Sequence, residues 1–249
     1  MKFGEEPPHI KLCFYNTTIP EQREVFFEKF IEWLCQYDER LVVEFISDDP
    51  ERIRHPFSYD KLKTNRQEVF DEITKLSKSY SFYFRRRKKF KYSGHFSIGN
   101  FSPTHPMPRS RLRIDFPLTN KNLDSFNWQD FYMELLNWFY DVELSCLHMN
   151  SLGEIKRPKY ELTSFGRWDN PNIPFPYWAQ SLRKDLYKSI DVSIIKEAGF
   201  RVEETLNHIT IFVTNDMFDI VNQPDKFHER SSELISLMPK DFYKGYYEI

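Results

Sequence analysis

Between Tyr80 and Leu118 the side chains alternate with a period of two: Tyr80-Ser-Phe-Tyr-Phe-Arg, then His95-Phe-Ser-Ile-Gly-Asn-Phe, then Arg111-Leu-Arg-Ile-Asp-Phe-Pro. Successive side chains of a strand point to opposite faces, so this alternation predicts three antiparallel strands with one face on a core. On the last of them Leu112, Ile114 and Phe116 share a face. This stretch commits the middle of the first half to sheet.

On either side the period changes. His9 to Tyr15 reads as a first strand, and Thr18-Ile-Pro-Glu21 is a capping box that opens a helix to about Tyr37, with Phe26, Phe30, Trp33, Leu34 and Tyr37 as its apolar stripe. Arg40 to Ile46 is rich in β-branched and aromatic residues and ends at Ser47-Asp-Asp-Pro50, a strand closed by a turn. A helix over about Tyr59 to Lys78 turns Phe70, Ile73 and Leu76 inward, and another carries Trp128, Phe131, Leu135 and Trp138 or Phe139. Val142 to Leu147 reads as a short strand. The second half holds the segment Tyr160 to Phe165, then Gly166 to Leu182, which packs three prolines and four aromatics around the entry of an expected helix from about Tyr177 to Tyr187. The strand His208 to Thr214 follows. A last helix from near Pro224 carries Phe227, Leu234, Leu237 and Met238, and Pro239 stops it.

Strands and helices intermingle without a βαβ rhythm, which places the chain in the α+β class: mixed, largely antiparallel sheets with packed helices. With no repeat and no low-complexity linker, residues 1–249 are expected to form one continuous domain, its lobes at 1–150 and 151–249. Aromatics are 17% of residues against only 7 glycines, so the core is expected to be aromatic-rich and the loops punctuated by proline.

The totals exclude several function classes. With 35 basic and 37 acidic residues there is no whole-molecule field to attract nucleic acid or an anionic membrane. Cys13, Cys35 and Cys146 are odd in number, far apart and without a Cys-x-x-Cys pair, which argues against a disulfide framework and a zinc site. The N-terminus lacks the apolar run of a signal peptide and no later stretch is apolar enough to span a bilayer, so a cytoplasmic location is expected. Glycine-rich phosphate loops are absent, and no cofactor or metal is expected.

Three local features retain chemical interest. His95, His105 and Asp115 could converge into a base and carboxylate of the hydrolase kind if their strands are adjacent, although no activated nucleophile is nearby and His105 sits in the loop signal Pro-Thr-His-Pro. Arg85-Arg-Arg-Lys-Lys-Phe-Lys91 puts six cations in seven residues, with Phe90 as a conceivable base-stacking platform. The same run falls at a hairpin end, where exposed cations guard a sheet edge. Asp48, Asp49 and Glu51 crowd the turn before and after Pro50, ordinary turn chemistry that can also face a basic partner.

The second half resembles immunity proteins of bacterial polymorphic and type VI secretion toxin systems. The resemblance rests on Trp168-Asp169-Asn170-Pro171 and Pro176-Tyr177-Trp178-Ala179, a strand over Ile209 to Thr214, the polar turn Asn215-Asp216 and a Leu-rich last helix ending at Pro239, within about Phe165 to Phe242. A tryptophan-bearing α+β immunity family that partners restriction-endonuclease-like toxins is the one it looks like. The resemblance implies a stoichiometric inhibitor without turnover that binds a cognate toxin, with no nucleic acid, membrane or small-molecule substrate as partner. Asp48, Asp49, Glu51, Trp168 and Asp169 are the expected partner contacts. An enzyme using His95, His105 and Asp115, and a nucleic-acid-binding module using Arg85 to Lys91, remain the alternatives.

Overall fold

The computed structural model describes residues 8–17, 23–47, 55–57, 64, 65, 67, 68, 71, 75, 81–98, 110–150, 175–240, 242 and 243. The chain forms two compact units, an internal one over Tyr15–Phe126 and a flanking one made of Met1–Phe14 and Asn127–Ile249. Strand β1 (His9–Thr17) runs through the division between Phe14 and Tyr15. Residue 150, where the lobes were expected to meet, is the last residue of a strand inside the flanking unit.

The internal unit contains helix α1 (Arg23–Tyr37), a 3-10 turn (Glu39–Leu41), β2 (Phe45–Ser47), β3 (His55–Pro56), β4 (Ser81–Arg86), β5 (Tyr92–Ile98) and β6 (Ser110–Pro117). Its strands lie in the order β3-β2-β4-β5-β6, every pair antiparallel. The period-two stretch is therefore sheet, as its alternation implies: burial along β6 alternates without a break, with Leu112, Ile114 and Phe116 inside.

That buried face meets α1. Phe27 stacks on Phe82 with ring centroids 4.7 Å apart, and Phe30 lies edge-on to Phe96 at 5.2 Å. The buried stripe of α1 is Phe27, Phe30, Ile31, Leu34 and Cys35, whereas Phe26, Trp33 and Tyr37 are only half-buried. Apolar residues fill two adjacent rows of this helix, and the stacking of Phe27 on Phe82 of β4 selects the row that sequence periodicity alone left undecided. Each such ring removed from water is worth about 1.5–3 kcal/mol. Gly94 stands opposite Phe84 in the β4–β5 ladder, and a Cβ there would fall 2.0 Å from the Phe84 ring, so the glycine is the seat for that ring.

The flanking unit contains α2 (Trp128–Trp138), β7 (Leu144–Asn150), β8 (Ala179–Arg183), α3 (Val192–Glu197), β9 (Arg201–Glu204), β10 (His208–Phe212), α4 (Asp219–Asn222) and α5 (Pro224–Leu237). The strand order is β1-β7-β8-β10-β9, and β7, β8, β10 and β9 pair antiparallel in sequence. Asn127 caps α2, its side chain accepting from the Asp130 N–H at 3.2 Å. Every residue of β7 and β10 is buried, and only the last residue of β8 is not.

Burying three neighbouring strands forces their polar side chains to pair. Ser145, Ser181 and Thr210 stand opposite one another on β7, β8 and β10. The Tyr132 hydroxyl from α2 lies 2.8 Å from both serine oxygens, and Ser181 Oγ lies 2.8 Å from Thr210 Oγ1. Four hydroxyls thus satisfy one another inside the unit.

The helix expected over Tyr177 to Tyr187 is not formed: Ala179–Arg183 is the strand β8, followed by turns. Ala, Gln and Leu favour helix locally, but this segment hydrogen-bonds to a strand on each side, and tertiary pairing overrides a preference of a few tenths of a kcal/mol per residue. Helix α3 and strand β9 lie between expected elements. The last helix matches its expected bounds, with Phe227, Leu234 and Met238 buried and the helix ending two residues before Pro239. The capping box at 18–21, the segment 160–165, and Phe70, Ile73 and Leu76 lie outside the described residues. Together the two units are α+β, with antiparallel sheet and packed helices.

Candidate interaction surfaces

The face of the internal sheet opposite α1 is polar because β6 alternates. Arg111, Arg113 and Asp115 occupy the positions between its buried residues, and the register sets His95 of β5 between Tyr83 of β4 and Arg113 of β6. The His95 and Tyr83 rings stack at 4.2 Å, 2° from parallel. Arg113 Nε donates to Asp115 Oδ2 at 2.6 Å, and the Arg111 guanidinium lies 4.8 Å from the centre of the Tyr15 ring.

Burial, and after it the Arg111 and Arg113 charges, lower the His95 pKa to about 4. The imidazole is therefore neutral at pH 7 and a weak proton acceptor there. Asp115 pairs across the ladder with Ser93, while Arg113 holds the position opposite His95 and binds the carboxylate. The arrangement stacks, neutralises and orients. His105, the third member of the expected convergence, lies outside the described residues.

The basic run closes the β4–β5 hairpin. Arg87, Lys88, Lys89 and Lys91 are exposed, but Phe90 is buried, 5.7 Å from Phe116 and 5.4 Å from Phe126, with the Arg40 guanidinium over it. Phe90 is thus no stacking platform: the turn points it into the aromatic core. The loop is held at both ends. Glu44 Oε2 accepts from the Arg87 and Lys88 amides at 2.9 and 3.3 Å, and Asn120 bonds both backbone groups of Lys91, at 2.7 and 2.8 Å. Arg86 donates to the Glu39 carbonyl. Lys89 takes a φ of 43°, in the left-handed region that glycine or asparagine fills more easily.

Asp48, Asp49, Glu51, Trp168 and Asp169 lie outside the described residues; β2 ends at Ser47, immediately before the first of them. From the proline-aromatic segment, Tyr177 and Trp178 are buried in the flanking unit. The Trp178 amide donates to His148 Nδ1 at 3.2 Å, and its ring meets Phe212 at 5.3 Å. The His148 ring is surrounded by Phe175, Tyr177 and Phe227 at 5.5 to 5.9 Å. Sequence reasoning gave no weight to Arg111 and Arg113, although the alternation that located Leu112, Ile114 and Phe116 also assigns them to the opposite face.

Among the described residues, no group of three or more His, Cys, Asp or Glu side chains is arranged to hold a metal ion, and no helix is long and apolar enough to cross a membrane.

No family model matches the chain, and no curated protein matches it at a significant level. Among solved structures the fold is similar to Pseudomonas aeruginosa T6SS protein PA0821, with a TM-score of 0.51 and 10% sequence identity over 86% of this chain and 68% of that one. At that identity the likeness concerns the fold.

Proposed function

We propose that this chain is an immunity protein that binds a cognate bacterial toxin and neutralises it stoichiometrically, with no turnover of its own. The observation that carries the proposal is the fold likeness to a type VI secretion protein across 86% of the chain. It agrees with the system to which the motifs at 168–171, 176–179 and 209–216 point. The chemistry of the internal sheet supports a binding role over a hydrolytic one, since Asp115 is engaged by Arg113 and His95 is a weak base at neutral pH.

The toxin is proposed to be a nuclease whose basic surface holds phosphates. Asp48, Asp49 and Glu51, which follow β2 in sequence, are proposed contacts with that surface, their charge acting mainly on the rate of encounter, and Trp168 and Asp169 are proposed as further contacts. Co-expression with the product of the adjacent upstream gene tests the proposal. The expected result is restored growth and co-purification at a fixed ratio. Failure of both would sink it.

A further inference from the structure

Three connections meet at one end of the flanking sheet, where α2 leads into β7, β8 ends, and β9 turns into β10. Backbone and side-chain hydrogen bonds tie them together. Asn207 Nδ2 donates to the Tyr140 carbonyl at 3.1 Å, the Lys184 amide to the Asn207 carbonyl at 2.8 Å, and Arg183 Nη1 to the Asp141 carbonyl at 3.0 Å. The β9–β10 loop is closed on itself by the Thr205 amide on the His208 carbonyl and the His208 amide on Thr205 Oγ1, both at 3.0 Å. This end of the sheet is pre-organised.

Its tips carry unexpected residues. Hairpin loops favour polar side chains and glycine, yet Leu206 is 92% exposed, with Tyr140 at 67% and Leu186 at 48%. These are three of the five large apolar side chains left exposed among the described residues, and all three lie on these connected loops. Nearby charges pair among themselves: Glu204 with Lys184 and Lys196 at 3.0 and 2.8 Å, and Arg183 with Asp185 at 2.7 Å. An apolar tip ringed by mutually paired charges suits an uncharged concavity, and rigid presentation lowers the ordering cost of filling one.

We infer that Tyr140, Leu186 and Leu206 form a docking surface for an apolar pocket on the partner protein; this rests on the inhibitory-binding reading and adds to it a contact outside the acidic turn. Area favours a different protein over a second copy. The three residues expose on the order of 400 Å², so two copies meeting tip to tip would bury about 800 Å², short of the ~1,200 Å² of a stable interface. A pocket also covers the flanks of the loops it receives.

The test uses the full chain and the product of the adjacent upstream gene, with dissociation constants and melting temperatures for wild type, Leu206→Asp, Leu206→Ser, Tyr140→Ser and the control Val221→Ser, an exposed apolar residue of α4. The expected result is affinity weakened about thirtyfold or more by the Leu206 and Tyr140 changes, no change with Val221→Ser, and unaltered melting of the Leu206 variants. Wild-type affinity in the Leu206 and Tyr140 variants would overturn the docking surface and leave the inhibitory reading standing. Absence of wild-type binding would remove the inhibitory reading and this surface with it. A wild-type dimer that Leu206→Asp splits would give the surface to a second copy and overturn the assignment. So would early melting of Leu206→Ser, which would make the side chain part of the fold.

Discussion

The two units build the same kind of layer by different means. In the internal unit one sheet face is packed with phenylalanines against α1 and the other is polar, so burial alternates residue by residue along β6. In the flanking unit β7, β8 and β10 are buried almost throughout, and hydroxyls of these strands pair in a ladder from Ser145 through Tyr132 of α2 and Ser181 to Thr210. Ring packing is non-directional and tolerates adjustment, whereas buried hydroxyls are satisfied only in one register. The first unit obtains its alignment from side-chain size and alternation, the second from hydrogen-bond geometry.

The largest expected effects test whether both cores carry similar weight. Phe30→Ala in the internal unit and Trp178→Ala in the flanking unit should each cost about 3–5 kcal/mol in denaturant unfolding. The Trp178 indole N–H has no hydrogen-bond partner among the described residues, and its contribution is assigned to packing. A loss below 1 kcal/mol at either site, on the order of a surface change, would break the symmetry.

Next come the two alignment devices. Gly94→Ala forces a methyl group into the Phe84 ring and should cost about 1–3 kcal/mol. Tyr132→Phe leaves the ladder without its central hydroxyl and should also cost about 1–3 kcal/mol. A near-neutral Tyr132→Phe would show that the ladder is no directional lock and that the contrast between the units is one of composition only.

A smaller effect appears in acid, with a contribution from each unit. His95 is held at a pKa of about 4 against an ordinary 6.5. The unfolded chain therefore binds a proton that the folded one refuses, and stability falls as pH drops from 6.5 towards 4. His208 of the flanking unit is lowered too, by burial, so the melting temperature should decline over this range in wild type. His95→Gln should remove part of that decline; an unchanged slope would assign it to other groups. The smallest effect is at Lys89, where Lys89→Gly relieves the φ of 43° and should raise stability by about 0.5–1 kcal/mol in the same unfolding assay.

Alternation made the internal sheet legible, since a period of two over β6 locates both the buried Leu112 and the outward Arg113. The row of α1 that faces the core was not legible, because Phe26 and Phe27 are equally apolar and only the Phe82 ring separates them. Strand β8 was hidden for a stronger reason. Ala-Gln-Ser-Leu-Arg carries neither alternation nor β-branched residues, and what makes it a strand is the pair of strands beside it, far away in sequence. The basic run was legible as a hairpin end, but the inward turn of Phe90 depends on Phe116 and Phe126. Leu206 gave no periodic signal at all, because a single apolar residue in a three-residue connection belongs to no pattern.

The hydroxyl ladder bears on how this chain can drift. A phenylalanine core can change one ring at a time, each step partly compensated by its neighbours. The ladder offers few halfway states: replacing Ser181 alone strands the buried Thr210 hydroxyl and leaves Tyr132 with Ser145 as its one remaining partner. Positions 132, 145, 181 and 210 should therefore vary among descendants of this sequence as a linked set, exchanged together for apolar residues or kept together, while the phenylalanines around α1 wander independently.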